Sequence, residues 1–433
     1  MKQKIYCIGI GWIGVSALAR YYLSQGWRVY WSDANDSELI HRLQEEWCNI
    51  IIWADSKRIS QNIDLVIYTE AIPPTQEELL KSHELNIKTL KYNEALWEIV
   101  NQYKLIAITG THGKSTTTSM ISQILKNSNE NFKSIVWTLL KEFEGKNFYS
   151  RWEEKNYFVI EACEYKEHFL AYKPTVAVIT NIEYDHADYF KTPQSYIDAY
   201  EKFIYNIVPG WFCVFDSEDP NSKLLIGTRT DIHYIDIQDF DFPEISLNIP
   251  GEHILSDAKL AYIVGHMIGI NDISLLNSLE DYSGVWRRME KVWTTLHGNL
   301  LMSDYGHHPS EVQATLKALK DWYPDKKIYT VFQPHQYSRT IELFEWFKTC
   351  FLDTDILLIP NIYESRDSEA DKQKMNTQLL VDAIKHDRVI NGGGLDNTLL
   401  SIEKYDLEHP NSSIILLLWA GNVDNLRYKI KTS

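Results

Sequence analysis

Short apolar stretches of strand length alternate along the whole chain with longer segments whose apolar positions recur at helical spacing. Strands are predicted over residues 4–10, 27–31, 64–68, 104–108, 157–161, 176–181, 211–215, 300–303, 328–333, 355–360 and 414–419. Helices are predicted over residues 15–25, 92–100, 116–127 and 310–320. Such alternation is typical of largely parallel sheets covered by helices. The pattern therefore predicts an α/β fold.

The predicted elements fall into three blocks, with no internal repeat and no long polar linker between them. We expect a Rossmann-like N-terminal domain over residues 1–101, a central α/β domain over 102–290 and a Rossmann-like C-terminal domain over 291–433. A length of 433 residues agrees with this count, since domains average about 150 residues.

Composition and charge narrow the class of protein. The chain is 44% hydrophobic and 24% charged, which is ordinary for a globular protein, and its net charge is −16. An acidic chain is poorly suited to non-specific binding of nucleic acid or anionic membranes. The five cysteines form no CxxC pair, which favours a reducing compartment. The apolar run 414–420 is too short to span a bilayer, so we expect a cytoplasmic protein without membrane or nucleic-acid partners.

The strongest local signal is the run Gly110-Thr-His-Gly-Lys-Ser115, between a predicted strand and a predicted helix. Glycines let backbone N–H groups approach phosphate oxygens, Lys114 reaches the β- and γ-phosphates, and the Ser115 hydroxyl can bind Mg²⁺. Ile108 stands where the longer P-loop has its first glycine, so this is the shorter form G-T-x-G-K-[ST]. The central domain is thus predicted to bind a mononucleotide through Gly110, Thr111, Gly113, Lys114, Ser115 and Thr116. The alternative is a helix capped by hydroxyl side chains after a glycine turn.

Acidic and imidazole side chains follow two further strands of the central block. The strand 157–161 ends in Glu161, and the strand 176–181 runs on to Asp185 and His186. Carboxylates and imidazoles at neighbouring strand ends suit Mg²⁺ chemistry beside a phosphate loop, although each alone equally fits a solvated strand end. No base is evident beside Cys163, which we interpret as a packing residue.

A second glycine-rich turn follows the first strand. Gly9, Gly11 and Gly14 fit the pattern G-x-G-x-x-G, and Asp33 ends the second strand. Alone, this motif is a weak indication of NAD binding. A dehydrogenase would not explain the second phosphate loop.

The short phosphate loop resembles that of the Mur ligase family, with folylpolyglutamate synthetase as a more distant relative. The histidine within this loop, His112, resembles the loop of the family branch that ligates amino acids to UDP-N-acetylmuramic acid. The resemblance extends over essentially the full length, through the runs beginning at Glu161, Thr180, Gly284, Ser303 and Phe332. It implies an ATP-dependent ligase, active in peptidoglycan precursor synthesis, that joins L-alanine to the lactyl carboxylate of UDP-N-acetylmuramic acid through an acyl phosphate.

The resemblance also implies roles for individual residues. The catalytic group would comprise His112, Lys114, Glu161, His186 and Arg288. Mg²⁺ would be held by Ser115, Glu161 and His186. The phosphate loop would bind ATP together with His253, Asp257, Arg288 and Asp304. The UDP part would lie on Gly9, Gly11, Gly14 and Asp33. The junction of amino acid and acyl phosphate would be lined by Tyr305, His307, His335 and Arg339. The implied partners are UDP-N-acetylmuramic acid and L-alanine, bound by a monomer or homodimer.

Several positions depart from the family pattern. Trp12 puts a bulky ring where a small residue is usual, and Gln336 replaces a frequent arginine. Ile254 and Asp257 replace two asparagines, one of which normally contacts adenine; an aspartate accepts from the adenine amino group but cannot donate to N7. Glu201 stands near the place where several members carry a carbamylated lysine.

Three alternatives remain open. A sister ligase could add Gly or Ser, because one methyl group discriminates by only about 1–3 kcal/mol. Folylpolyglutamate synthetase is disfavoured by the UDP-type first domain. A non-catalytic UDP-sugar binder is motivated by Trp12 and by the altered adenine segment.

Overall fold

The computed structural model describes residues 2–34, 38–46, 51–52, 55–151, 156–365, 367–419 and 421–432. They form three sheets, which confirms the three-domain α/β architecture. By their internal contacts the residues divide into two compact units. The first unit comprises Met1–Glu183, Gln194–Ile245 and Asp257–Leu279, and the second comprises Tyr184–Pro193, Ser246–Ser256 and Glu280–Ser433. The domain boundaries at 101 and 290 stay predictions.

The first sheet is entirely parallel, with the order β3-β2-β1-β4-β5. Its strands are β1 (Lys4–Ile8), β2 (Arg28–Asp33), β3 (Ile51–Ile52), β4 (Leu65–Tyr68) and β5 (Lys88–Lys91). Its helices are α1 (Ile13–Ser24), α2 (Glu38–Glu46), α3 (Glu77–Glu84) and α4 (Tyr92–Val100). The strand order reverses direction at β1, and ligands of such sheets bind outside the strand ends at that point. The glycine-rich turn leaves β1 there.

The second sheet has the order β12-β11-β10-β6-β9-β7-β8 and is parallel except for the β7–β8 hairpin. Its strands are β6 (Lys104–Thr109), β7 (Phe132–Leu140), β8 (Lys146–Ser150), β9 (Tyr157–Glu161), β10 (Val176–Ile179), β11 (Phe212–Phe215) and β12 (His233–Asp236). The helices of this stretch are α5 (Lys114–Asn127), α6 (Pro193–Tyr205), α7 (Pro220–Leu224), α8 (Glu252–Met267) and α9 (Asp272–Glu280). Because β6 lies between β10 and β9, the loop after β6 is flanked by both of their carboxyl ends.

The third sheet has the order β13-β14-β18-β15-β16-β17 and is parallel except for β13. Its strands are β13 (Glu290–Thr294), β14 (Leu300–Asp304), β15 (Lys327–Gln333), β16 (Ile356–Ile359), β17 (Val389–Asn391) and β18 (Ser413–Trp419). Its helices are α10 (Pro309–Trp322), α11 (Tyr337–Glu342), α12 (Phe344–Phe347), α13 (Glu369–Lys374), α14 (Thr377–Ala383) and α15 (Leu395–Glu408). The central strand β18 is buried at every position, as expected where helices cover both faces.

None of the helices in the described ranges has both the length and the apolar character needed to cross a membrane.

Candidate active site

The phosphate loop lies between β6 and α5, and two of its glycines cannot be replaced without a clash. Gly110 has φ +141°, and a Cβ added there would lie 2.0 Å from Oγ1 of Thr180. Gly113 has φ +79°, and its Cβ would lie 2.3 Å from Oδ1 of Asp257. The backbone is therefore shaped by glycine's freedom at φ > 0 and by the absence of side chains. Both glycines belong to the predicted phosphate-binding motif.

Lys114 is held at the start of α5 by three oxygen-bearing groups. Its Nζ donates to the carbonyl oxygen of Gly110, to that of Thr111 at 3.1 Å, and to the carboxylate of Glu164 at 3.2 and 3.3 Å. Burial lowers the pKa of Lys114, but the negative charge of Glu164 outweighs it and raises the pKa above its ordinary value. Lys114 is thus a cation, ready to neutralise phosphate charge.

Glu161 joins the end of β9 to the first turn of α5. Its Oε2 accepts a hydrogen bond from Oγ of Ser115 at 2.8 Å, and its Oε1 accepts one from the backbone N–H of Trp137 at 2.5 Å. The Trp137 indole N–H in turn donates to the Tyr92 hydroxyl at 3.0 Å. The structure therefore brings together two of the three predicted Mg²⁺ ligands, a hydroxyl and a carboxylate.

His112 is fixed within the loop by the strand end of β10. Its backbone N–H donates to Oδ1 of Asn181 at 3.0 Å, and its Nε2 lies 2.9 Å from Oε2 of Glu183. Thr111 contacts the same segment, because its hydroxyl lies 2.6 Å from the carbonyl oxygen of Glu183. The predicted loop residues are thus oriented by the segment that follows β10.

Asp257 lies against the phosphate loop. Its Oδ1 accepts a hydrogen bond from the Thr117 hydroxyl at 2.8 Å, and only 6% of the residue is exposed. The carboxylate that replaces a family asparagine is therefore held at the start of α5. His253, on the preceding turn of α8, belongs to the other unit and lies against Gly251, whose added Cβ would be 2.6 Å from the imidazole Cε1.

The glycine-rich turn after β1 is closed by Asp33 and by aromatic rings. The Gly11 N–H donates to Oδ2 of Asp33 at 2.8 Å, and Gly9 has φ +79°. A Cβ at Gly14 would lie 2.6 Å from the Trp12 ring and 2.8 Å from that of Tyr92. Trp12 stays 37% exposed while its ring packs edge-on against Tyr92 at 4.6 Å. The bulky residue is thus accommodated beside the predicted pyrophosphate turn.

In the second unit, Asp185 pairs with Arg339. The guanidinium Nη2 lies 3.1 and 3.2 Å from the two carboxylate oxygens. Burial raises the pKa of Asp185, but the charge of Arg339 outweighs it and holds the pKa far below the usual range. His186 adopts a left-handed backbone at φ +58°, which turns its ring toward the same carboxylate, 3.8 Å from Oδ2. A predicted substrate-binding arginine and a predicted metal ligand therefore share one carboxylate.

The predicted amino-acid residues of the third sheet lie near one another. The rings of Tyr305 and His307 are 5.6 Å apart, and those of His307 and His335 are 6.4 Å apart. His335 stacks on Tyr363 at 5.5 Å. Burial, reinforced by the charge of Arg339, lowers the pKa of His307 to about 3. His307 is therefore neutral at physiological pH.

Asp304 and Arg288 both lie next to Tyr305. Asp304 accepts the backbone N–H groups of Met289 and Gly306, both at 2.7 Å, and burial raises its pKa. Arg288 lies over the ring of Tyr305 at 5.2 Å, and its Nη1 is 3.4 Å from Oε1 of Glu311. The Asp304 carboxylate thus fixes the backbone at Met289 and Gly306.

Sequence reasoning did not identify Glu164, Trp137 or Glu183 as partners of site residues. Glu164 carried a signal, since it is one of two acidic residues in the run that follows β9. Trp137 carried none, because its contact with Glu161 is made by the backbone N–H. The interpretation of Cys163 agrees with its surroundings: burial raises the pKa of its thiol to about 12, which disfavours a thiolate nucleophile.

Three family models match the chain in order. The Mur ligase family catalytic domain matches residues 4–104, the Mur ligase middle domain matches 108–240, and the Mur ligase glutamate ligase domain matches 287–398. Each match covers strands of a different sheet, and β18 lies beyond the end of the third match.

Curated relatives and solved structures agree with these matches. The UDP-N-acetylmuramate–L-alanine ligase of Clostridium kluyveri is 35% identical, covering 88% of each chain, and that of Clostridium acetobutylicum is 32% identical, covering 98% of this chain and 96% of its own. The crystal structure of the UDP-N-acetylmuramate–alanine ligase from Thermotoga maritima has the same fold, with a TM-score of 0.81, 22% identity and coverage of 98% and 97%. Sequence and fold together place this chain in the Mur ligase family.

Proposed function

We propose that this chain is an ATP-dependent ligase that joins L-alanine to the lactyl carboxylate of UDP-N-acetylmuramic acid, releasing ADP and phosphate, as a step of peptidoglycan precursor synthesis. The observation that carries the proposal is the arrangement around α5. There, the charged Lys114 and the pair of Ser115 with Glu161 lie beside a loop whose conformation requires glycine at positions 110 and 113. The curated relatives that match over most of the chain carry this activity in their names.

The residues present fit ATP and Mg²⁺. Added Cβ atoms at Gly110 and Gly113 would clash with Thr180 and Asp257, so the conformation of the predicted phosphate loop requires glycine at both positions. Ser115 and Glu161 supply oxygen donors, which Mg²⁺ prefers. Mg²⁺ bound there would neutralise charge on the phosphates during transfer.

The first chemical step follows from this arrangement. A lactyl carboxylate oxygen attacks the γ-phosphorus of ATP, the bond from that phosphorus to the β–γ bridging oxygen breaks, and ADP leaves. Lys114 offsets the charge on the β- and γ-phosphates once they replace Glu164 as its partner. The loop N–H groups and α5 orient the phosphates, so the protein contributes positioning and charge neutralisation.

The second step needs the amino acid placed beside the acyl phosphate. The amino nitrogen of L-alanine attacks the acyl carbon, the bond between that carbon and the phosphate oxygen breaks, and the nitrogen loses a proton. Arg339 is suited to the carboxylate of the amino acid, because a guanidinium can bind a carboxylate with two hydrogen bonds. His307, neutral and close to Arg339, adds no competing positive charge.

Phosphate release tests the proposal. With Mg²⁺, ATP and UDP-N-acetylmuramic acid, release should require L-alanine and should fall by at least about 100-fold in Lys114→Ala, since one electrostatic contact to a transferring group is worth about 3 kcal/mol or more. Lys126→Ala, at the other end of the same helix, is the matched control and should retain activity. Equal release with Gly or Ser would assign a sister specificity. Binding of UDP-N-acetylmuramic acid without turnover, with ATP or GTP, would assign a non-catalytic binder.

A further inference from the structure

The ion pair of Asp185 and Arg339 is part-buried and engages one nitrogen of the guanidinium. Only Nη2 of the guanidinium contacts the carboxylate, at 3.1 and 3.2 Å, while the two side chains are 11% and 12% exposed. Within the described ranges, no residue makes a hydrogen bond to Nε or Nη1 of Arg339. Nε and Nη1 are therefore available as donors to a second, anionic partner.

The pair presents adjacent positive and negative charge. In a free α-amino acid the ammonium and carboxylate groups are attached to one carbon, so they lie about as far apart as the members of a contact ion pair. A zwitterion placed beside such a pair meets an opposite charge at both ends. The backbone N–H of His186, which donates to Oδ1 of Asp185 at 2.7 Å, fixes the orientation of the carboxylate.

We propose that Asp185 binds the α-ammonium group of the amino-acid substrate while Arg339 binds its carboxylate through a guanidinium donor that Asp185 does not use. This inference rests on the proposed function and makes Asp185 a specificity-determining residue. Asp185 selects molecules in which an amine and a carboxylate share one carbon. It disfavours propionate and L-lactate, which have no ammonium, and β-alanine, in which an extra methylene separates the charges.

The competing interpretation is that Asp185 only positions Arg339. The two roles differ in what happens to a ligand that has a carboxylate but no amine. If Asp185 contacts the ammonium group, removing its charge weakens the binding of L-alanine and leaves the binding of propionate unaffected. If Asp185 only positions Arg339, removing its charge weakens the binding of both ligands by the same factor.

The experiment uses the full chain with ATP, Mg²⁺ and UDP-N-acetylmuramic acid, and measures KM for L-alanine together with Ki for propionate, L-lactate and β-alanine. In the unaltered protein the Ki of each of these three ligands should exceed the KM for L-alanine by at least about 10-fold. This factor is the expected effect of losing one charged hydrogen bond. In Asp185→Asn, KM should rise about 10- to 100-fold while Ki for propionate changes less than about 3-fold. Glu342→Gln, which removes another carboxylate near Arg339, is the matched control and should leave both constants unchanged.

Three results would overturn the inference. One is a propionate Ki equal to KM in the unaltered protein, which needs no variant and so decides the matter even if Asp185→Asn does not fold. Another is an equal rise of KM and of the propionate Ki in Asp185→Asn. The third is a rise in the Mg²⁺ requirement with KM unchanged, which would assign Asp185 to the metal site. Turnover of L-alanine by the unaltered protein separates these failures from a failure of the proposed function, in which no amino acid supports turnover.

Discussion

At the scale of single residues, the phosphate loop depends on what its glycines lack. Gly113 needs both a left-handed backbone and the space that a side chain would occupy, because Asp257 lies against it. Gly210 has the same φ of +79° but nothing within 4 Å of its added Cβ. The two positions therefore separate backbone strain from steric conflict.

We expect Gly113→Ala to lose most ATP-dependent activity and to lower the unfolding free energy by more than Gly210→Ala does. The latter should cost only the left-handed strain of about 1–2 kcal/mol and keep its activity. Phosphate release and urea unfolding of both variants measure the two effects. Equal losses at the two positions would mean that the contact with Asp257 has no consequence.

At the scale of helices and strands, the segment after β10 is anchored by a helix cap. Asp219 precedes α7, and its carboxylate accepts the N–H groups of Asn221 and Ser222 at 3.2 and 3.1 Å. The same carboxylate accepts the N–H of Ile182 at 2.7 Å. One side chain thus both begins a helix and holds the backbone next to Asn181 and Glu183, which contact the phosphate loop.

Asp219→Ala should lower the unfolding free energy by about 2–3 kcal/mol, because a cap and a second, part-buried hydrogen bond are lost together. Asp55→Ala, which removes a cap from a single 3₁₀ turn, should cost about 1 kcal/mol or less. Urea unfolding of the two variants gives the comparison. A similar cost for both would show that the bond to Ile182 contributes nothing.

The sequence predicted those features that are local along the chain. The phosphate loop and the strands β6, β9 and β18 were found within about one residue of their bounds, because glycines and continuous apolar runs mark them. The edge strands β3 and β17 were missed, since two or three residues carry no clear periodicity. The β7–β8 hairpin was also missed.

Partners that are distant in sequence could not be predicted in the same way. Glu164 meets Lys114 across 50 residues, and Arg339 meets Asp185 across 154. Such contacts depend on how strands are ordered in a sheet and on side-chain packing, neither of which a motif specifies. The family resemblance implied roles for Lys114 and Arg339, but it implied none for their partners Glu164 and Asp185.

At the scale of the whole molecule, buried ionisable groups couple stability to pH. His307 has a pKa of about 3 in the folded chain, below the ordinary value of about 6.5 for an exposed histidine. The unfolded chain therefore binds the extra proton between these values. The stability that depends on a neutral His307 is complete above pH 6.5 and is lost progressively as pH falls toward 3.

Lowering the pH from 7 to 5 should therefore reduce the unfolding free energy by about 1–2 kcal/mol through His307 alone. His307→Asn should flatten that part of the profile, and the variant should lose less stability over the same interval. His297→Asn, in the turn between β13 and β14, controls for the loss of a histidine elsewhere. The expectation would be contradicted if the urea midpoint changed by the same amount between pH 7 and pH 5 in the unaltered protein and in His307→Asn.

The position of β18 has a consequence for the order of synthesis. It is the last of the six strands of its sheet to be translated, yet it lies in the interior and pairs with both β14 and β15. Until residues 413–419 have left the ribosome, β14 and β15 have no strand between them, and each exposes a row of unpaired backbone groups. A nascent chain of this protein therefore depends on protection from aggregation for longer than one whose last strand merely adds to an edge.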